Sequence, residues 1–216
     1  VTRHTDVSPG DVRRALELTP FDYERAWRRM APRPYRKRLV DGVRLREAGV
    51  MCLLFPQGDG LAFFLTRRTE NVATHKGQIS LPGGALEQRD ATPVDAALRE
   101  TCEELAICRD DVQVLGTLTP LDTVTGGFRV TPVVGYLPAR PQVAVNPAEV
   151  AEVIEMPLAA LLDDSIKVEE RWEWRGMPLD VPFYKVDEHI VWGVTATILS
   201  ELEARLLAVL DHPLTG

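Results

Sequence analysis

The chain reads as an α/β protein, a β-sheet sandwiched between helices, and three observations carry that reading. Short apolar runs of strand length recur between turn-forming residues. One helix is marked by a Thr92-Pro93 start and by apolar and acidic residues at helical spacing after it. A last stretch, Gly193 to Leu210, repeats Ile198, Leu199, Leu202, Leu206 and Leu210 at helical intervals, the period of an amphipathic helix. The chain has 216 residues, 45% of them apolar, enough for one domain with a sizeable core.

The elements follow in order. Ser8-Pro9-Gly10-Asp11 opens an N-terminal helical segment, and a second helix is expected from Asp22 to about Met30, ended by Pro32 and Pro34. Residues 50–55 and 61–65 are short apolar runs around Gln57-Gly58-Asp59-Gly60, a hairpin of buried strands. Gln78 to Leu81 predicts a strand that ends in the turn Pro82-Gly83-Gly84. After the acidic helix come strands near 113–119 and 129–136, the second interrupted by Pro132. Met156-Pro157-Leu158 begins a short helix through Leu162. A second hairpin joins 169–174 to 181–186 across Arg175-Gly176-Met177-Pro178, and the C-terminal helix follows.

The acidic helix is the most informative part of the chain. Thr92 is its N-cap, Pro93 its first residue, and Asp95 stands three residues after the cap. At about 100° per residue, Glu100, Glu103 and Glu104 fall within roughly a 100° arc. Leu98, Thr101, Cys102 and Leu105 form a stripe on nearly the opposite side, which predicts the core-facing surface. Like charges at these spacings cost about 0.2–0.5 kcal/mol per pair. Arg99 offsets part of that through Glu103; Glu100 and Glu104 have no local cation. A hard divalent ion with oxygen ligands removes the conflict. The competing reading of these acids alone is a solvated helix face.

Charge and cysteines narrow the function classes. The net charge is −7, yet residues 1–49 hold twelve basic against seven acidic residues. An acidic body does not suit a nucleic-acid backbone. Arg13, Arg14, Arg25, Arg28, Arg29, Arg33, Arg36, Lys37 and Arg38 either form a field for a small anion or pair with the acidic body. No apolar run approaches membrane-spanning length and no leader pattern opens the chain, so no membrane role is expected. Cys52, Cys102 and Cys108 are odd in number and lack zinc-site spacing. With Cys102 on the core stripe, a reduced thiol and a cytoplasmic location are expected.

Taken together, Gly84, Asp90, Arg99-Glu100, Glu103-Glu104 and Ala106-Ile107 resemble the signature of the Nudix hydrolases. Asp90 stands where most members carry Glu, eight residues rather than seven precede Arg99, Thr101 replaces an aliphatic residue and Ala106 a glycine. The first two departures, the block Leu65-Thr66-Arg67-Arg68-Thr69 through His75-Lys76-Gly77-Gln78-Ile79-Ser80-Leu81-Pro82-Gly83-Gly84, and Gly127-Phe128-Arg129-Val130-Thr131-Pro132 resemble the coenzyme A-cleaving branch. Ala73 and Leu81 depart from that branch's pattern.

The resemblance implies an α/β/α sandwich with a mixed β-sheet over residues 48–216, with residues 1–47 as an added helical segment packed on the core. It also implies Mg²⁺ or Mn²⁺ held by Glu100, Glu103, Glu104 and the Gly84 carbonyl, with Arg99 orienting Glu103. A carboxylate must take the proton of the attacking water; the candidates are Glu149, then Glu152, with Glu100 on the helix itself as a competing base, while Glu103 assists at the metal. Arg67, Arg68, His75, Lys76 and Phe128 are the expected substrate-binding residues. The implied substrate is a small-molecule diphosphate, coenzyme A or a derivative, cleaved to 3′,5′-ADP and 4′-phosphopantetheine. The alternatives are a pyrophosphatase of ADP-ribose, nucleotide sugars or nucleoside triphosphates, or a non-catalytic ligand-binding domain. Dimers are frequent among such proteins, so a homodimer is a further expectation.

Overall fold

A computed structural model describes residues 7–34, 44–69, 77–123, 127–174 and 176–211. In chain order the first elements are α1 (Pro9–Glu17), α2 (Tyr23–Met30), β1 (Arg46–Gln57), β2 (Gly60–Arg68), β3 (Ile79–Ser80), β4 (Gly83–Ala85) and α3 (Pro93–Leu105). They are followed by β5 (Gln113–Thr117), β6 (Leu121–Asp122), β7 (Phe128–Tyr136), β8 (Val150–Pro157) and α4 (Leu158–Leu161). A small second sheet of β9 (Lys167–Trp174), β10 (Met177–Val186) and β11 (His189–Trp192) precedes α5 (Gly193–Leu210).

The architecture is an α/β/α sandwich around a mixed sheet. β1 and β2 form the expected hairpin, antiparallel from Leu54↔Phe63 to Gln57↔Gly60. Beyond Leu54 and Phe63 the pairing stops, and the segment carrying β3 and β4 fills the space between the strands. Thr66 pairs with Ser80 and Gly49 with Gly84, and the Met51 amide donates to the Pro82 carbonyl at 2.8 Å. The glycines expected as a turn are therefore paired with β1. On its other side β1 runs parallel to β7; β8 closes on β2, and β5 and β6 on β7.

Alternation along the strands sorts the core into two layers. Ala48, Cys52, Leu54, Phe63 and Leu65 face α5, whereas Met51, Leu53, Phe55, Ala62 and Phe64 face α3. Gly49 lies under the first turn of α3: a Cβ there would come 1.9 Å from the Pro93 carbonyl oxygen. That missing side chain lets the helix dock closely on β1.

Several expectations are corrected. Pro132 does not interrupt β7, because its carbonyl accepts from Leu118 in the gap between β5 and β6. Its nitrogen faces that same gap, so the β1 ladder loses no donor. The buried arc of α3 holds Ala96, Ala97, Leu98, Thr101, Glu104 and Leu105. Cys102 is only half-buried and forms a disulfide with Cys108, while Cys52 is a free, buried thiol. The reduced-cysteine argument for a cytoplasmic location therefore lapses. No described helix is long and apolar enough to cross a membrane.

The C-terminal helix keeps its expected bounds and is buried on nearly all sides, because α1 and α2 cover its outer face. Glu201, Glu203 and Arg205 are consequently buried, and each is paired, as buried charges must be. Glu201 accepts from Trp27 Nε1 at 2.9 Å, Thr119 Oγ1 at 2.8 Å and Arg205 Nε at 2.9 Å. Glu203 accepts from Lys167 Nζ at 2.7 Å and Tyr184 OH at 3.1 Å. Arg29 and Arg33 of the basic N-terminal set pair with Glu203 and Glu169, and Arg14 and Arg28 pair within their own helices. Arg36, Lys37 and Arg38 lie outside the described residues.

Candidate active site

The site is built where α3 crosses the β4 segment. Thr92 and Asp95 form a complete capping box, and Ala106 closes the helix in the left-handed region at φ 58°, a position that favours glycine. This places Glu100 against β4. A Cβ on Gly84 would lie 2.3 Å from Glu100 Oε1, so only glycine leaves room for that carboxylate beside the backbone.

Glu104, one turn on, points into the protein and is 1% exposed. Its partners come from the wedge and from β2: the Gly83 amide, and Arg68 Nη1 at 3.5 Å from Oε1. Among the described residues its other oxygen, Oε2, has no hydrogen-bond partner. Glu149 joins from the turn before β8. Asn146 holds that turn: its amide donates to the Glu104 carbonyl at 3.0 Å, and its side-chain Nδ2 donates to Glu149 Oε1 at 3.2 Å. Thr69 adds two bonds, from its amide to the Glu149 carbonyl at 3.0 Å and from its hydroxyl to the Ala148 carbonyl at 3.1 Å. Glu100, Glu104 and Glu149 each bring a carboxylate oxygen to within 4.8 Å of one another.

Burial dominates the electrostatics, and the neighbouring arginine opposes it at each carboxylate. Burial pushes the Glu104 carboxyl up from 4.5 to about 8; Arg68 opposes that rise, and Glu100 and Glu149 add to it. Burial also raises Glu100, against the Arg99 hydrogen bond and charge. Arg99 is the brace of the helix. It donates to Asp90 at 3.0 Å, Glu100 at 2.8 Å, Glu103 at 2.9 Å and the Ala85 carbonyl at 3.0 Å. The Arg99 hydrogen bonds hold the Asp90 carboxyl below its ordinary range, and Asp90 also accepts from the Glu87 amide. Asp90 thus orients Arg99 and fixes the loop before the helix.

The other sequence candidates separate. Glu103 leaves the group: Arg89 at 2.7 Å and Arg99 at 2.9 Å draw it to the outer side of the helix, where it is 39% exposed. Glu152 is also removed. It pairs with Arg67 in step with Ile154 and Met156 of the same β8 face, and so lies on the α5 face, bonded to Arg67 at 2.8 Å and near His189 at 3.4 Å. Arg67 therefore faces away from α3, whereas Arg68 faces the carboxylates. Phe128 lies on the α5 face as well, packed against that core layer with the Arg46 guanidinium 4.9 Å from its ring centre. His75 and Lys76 lie outside the described residues. Asn146 received no role from the sequence; the signal available was Asn-Pro, a turn-initiating pair.

Three carboxylates and a backbone segment stripped of its side chain suit a hard divalent cation. The Glu104 Oε2 left without a partner among the described residues is the observation that tests the fit: a buried carboxylate oxygen with no donor is costly unless a proton or a cation meets it. The donor set passes.

Residues 45–175 match a family model described as the NUDIX domain. The chain is 37% identical over 191 residues to an uncharacterized Nudix hydrolase, NudL, of Enterobacter sp. (strain 638), covering 88% of this chain and 96% of that protein. It is 43% identical over 138 residues to the uncharacterized Nudix hydrolase NudL of Photorhabdus laumondii subsp. laumondii, covering 64% of this chain and 73% of that protein. Among solved structures, the Nudix hydrolase RenU of M. smegmatis aligns with a TM-score of 0.51 at 19% identity, covering 79% of this chain and 89% of that one. A MutT/nudix family protein of Enterococcus faecalis aligns with a TM-score of 0.51 at 15% identity, covering 95% and 77%. These two likenesses speak to the fold.

Proposed function

The chain belongs to the Nudix hydrolase family, and from that premise we propose that it is a divalent-metal-dependent pyrophosphatase of coenzyme A or its derivatives. Water attacks one phosphorus of the diphosphate, the bridging P–O bond breaks, and 3′,5′-ADP and 4′-phosphopantetheine (or its acyl form) leave. The observation that carries the hydrolytic reading is the Glu100–Glu104–Glu149 group with its orphaned oxygen. The choice of coenzyme A is supported by the sequence block from Leu65 to Gly84 and by Phe128-Arg129-Val130-Thr131-Pro132.

Glu100, Glu104 and Glu149 hold Mg²⁺ or Mn²⁺ in this reading, with the Gly84 backbone beside them. Such an ion neutralises diphosphate oxygens and lowers the pKa of bound water. The chain's own residues do the rest. Arg99, fixed by Asp90, holds Glu100 against β4. Glu149 takes the water's proton at a carboxylate oxygen, placed for this by Asn146 and Thr69. Arg68 offers a planar fork suited to a phosphate, and Lys76 and His75 are assigned to the same substrate. Residues 48–216 form the hydrolase domain and 1–47 its helical extension.

A substrate panel tests the proposal: coenzyme A, acyl-coenzyme A, ADP-ribose, a nucleotide sugar and a nucleoside triphosphate, each with Mg²⁺ and with Mn²⁺, products identified by mass spectrometry. Release of 3′,5′-ADP is expected. Consumption of ADP-ribose with coenzyme A left intact would replace the substrate while keeping the hydrolase.

A further inference from the structure

We propose that Arg68 is a stand-in cation: it is the counter-charge to the ionised Glu104 carboxylate while no metal is bound, and turns to the substrate's diphosphate when a divalent ion takes that carboxylate. The inference rests on the reading of Glu100, Glu104 and Glu149 as the ion's holders, and it adds a role that the resemblance does not supply.

The geometry sets Arg68 apart from the other cations nearby. Arg99 is bound to four partners at hydrogen-bond distance, so it is a fixed part of the helix. Arg67 points to the other face of the sheet and is bonded to Glu152. Arg68 makes one ion pair among the described residues, at 3.5 Å, at the outer limit of hydrogen-bond length. Its backbone is held on both sides, by the Gln78 carbonyl at 3.1 Å and the Gly77 amide at 3.2 Å. The side chain is 25% exposed. Held at its backbone, and by one long ion pair among the described residues, it can swing without disturbing β2.

Charge supplies the reason to move. Without an ion, Glu104 is buried beside two other carboxylates, and where it is ionised, as at the alkaline pH of the titration below, Arg68 at 3.5 Å is the charge that offsets it. A divalent ion at Glu104 would lie next to the guanidinium, and like charges a few ångströms apart in a partly buried site repel strongly. The incoming diphosphate brings the anionic oxygens that the guanidinium then lacks, in a geometry an arginine fork matches. Arg68 and the ion therefore compete for one carboxylate but cooperate on the substrate.

That pairing of opposite effects is the test. The full chain and the R68Q and R68K variants, each checked for an intact melt, are titrated with Mn²⁺ anaerobically at pH 8.5, following the electron-spin signal of free Mn²⁺. Binding of α,β-methylene ADP, a diphosphate that cannot be cleaved at its carbon bridge, is then measured by calorimetry in saturating Mn²⁺. R68Q should bind Mn²⁺ about threefold to tenfold more tightly and methylene ADP at least about tenfold more weakly. R68K, which keeps the charge, should match the parent for Mn²⁺ while losing part of the methylene-ADP affinity. A fall in both affinities in R68Q would mean that Arg68 merely builds the site, and unchanged Mn²⁺ affinity would mean that it does not compete; either overturns the inference alone. A parent protein that binds no Mn²⁺ would instead sink the metal-site reading, and this inference with it.

Discussion

Replacing Glu104 with Gln should stabilise the metal-free protein, even though it removes a carboxylate placed at the centre of the site. The folded carboxyl is pushed from 4.5 to about 8, so between those values the folded state holds a proton that the unfolded chain has released. Stability from this group is complete below about pH 4.5 and is lost as pH rises through about 8. Each pH unit in that window costs about 1.4 kcal/mol, which comes to about 3 kcal/mol at pH 7. In the variant, the amide oxygen can keep the Gly83 and Arg68 contacts. Its nitrogen replaces the orphaned Oε2 and faces the carboxylates of Glu100 and Glu149. Allowing for imperfect packing of the amide, a net gain of about 1–3 kcal/mol is expected at pH 7–8, or roughly 3–10 °C in melting temperature for a chain of this size. The assay is thermal unfolding by circular dichroism in chelator from pH 4.5 to 8.5. The E104Q curve should lie above the parent at high pH and meet it near pH 4.5. Added Mn²⁺ should stabilise the parent and leave the variant nearly unmoved. Parallel curves across the whole range would refute the argument that Glu104 is a buried charge awaiting a cation.

Two further outcomes separate the structure from the sequence reading. E149Q should lower turnover by about 10²–10⁴-fold, as expected for loss of a proton acceptor, whereas E152Q should retain near-parental turnover; steady-state kinetics with coenzyme A that showed the reverse would put the base on the other face of the sheet. Under non-reducing denaturation a thiol reagent should titrate a single cysteine, Cys52, and after reduction all three. Because the Cys102–Cys108 loop is short, with a separation of six residues, the C102S/C108S pair should cost at most about 2 kcal/mol in a denaturant melt.

Much of the fold was legible because local rules decided it. The start of α3 is a complete capping box with proline at its first position, and such caps act within one turn. The β1–β2 hairpin was marked by two apolar runs around Gly58-Asp59, and α5 by its leucine spacing. The failures share a physical origin. β6, β8 and β11 are short or mixed in polarity, so neighbours rather than period make them strands. Pro132 looked like a break because the sequence does not show which side of β7 its nitrogen faces. The amphipathic period of α5 does not show that its polar residues are buried; they are, because α1 and α2, far away along the chain, supply Trp27 and Arg29 as partners.

The site divides along the same line. Helical spacing alone sets Glu100 and Glu104 one above the other, where a cation would ease their repulsion, since a turn of helix is a fixed geometry. Folding decided the rest. It wedged Gly84 between two parted strands, turned Glu104 inward and Glu103 outward, brought Glu149 to the pair, and paired Glu152 with Arg67 on the opposite face of the sheet. Those outcomes depend on contacts between segments distant along the chain, where strand register and burial act and side-chain spacing carries no information.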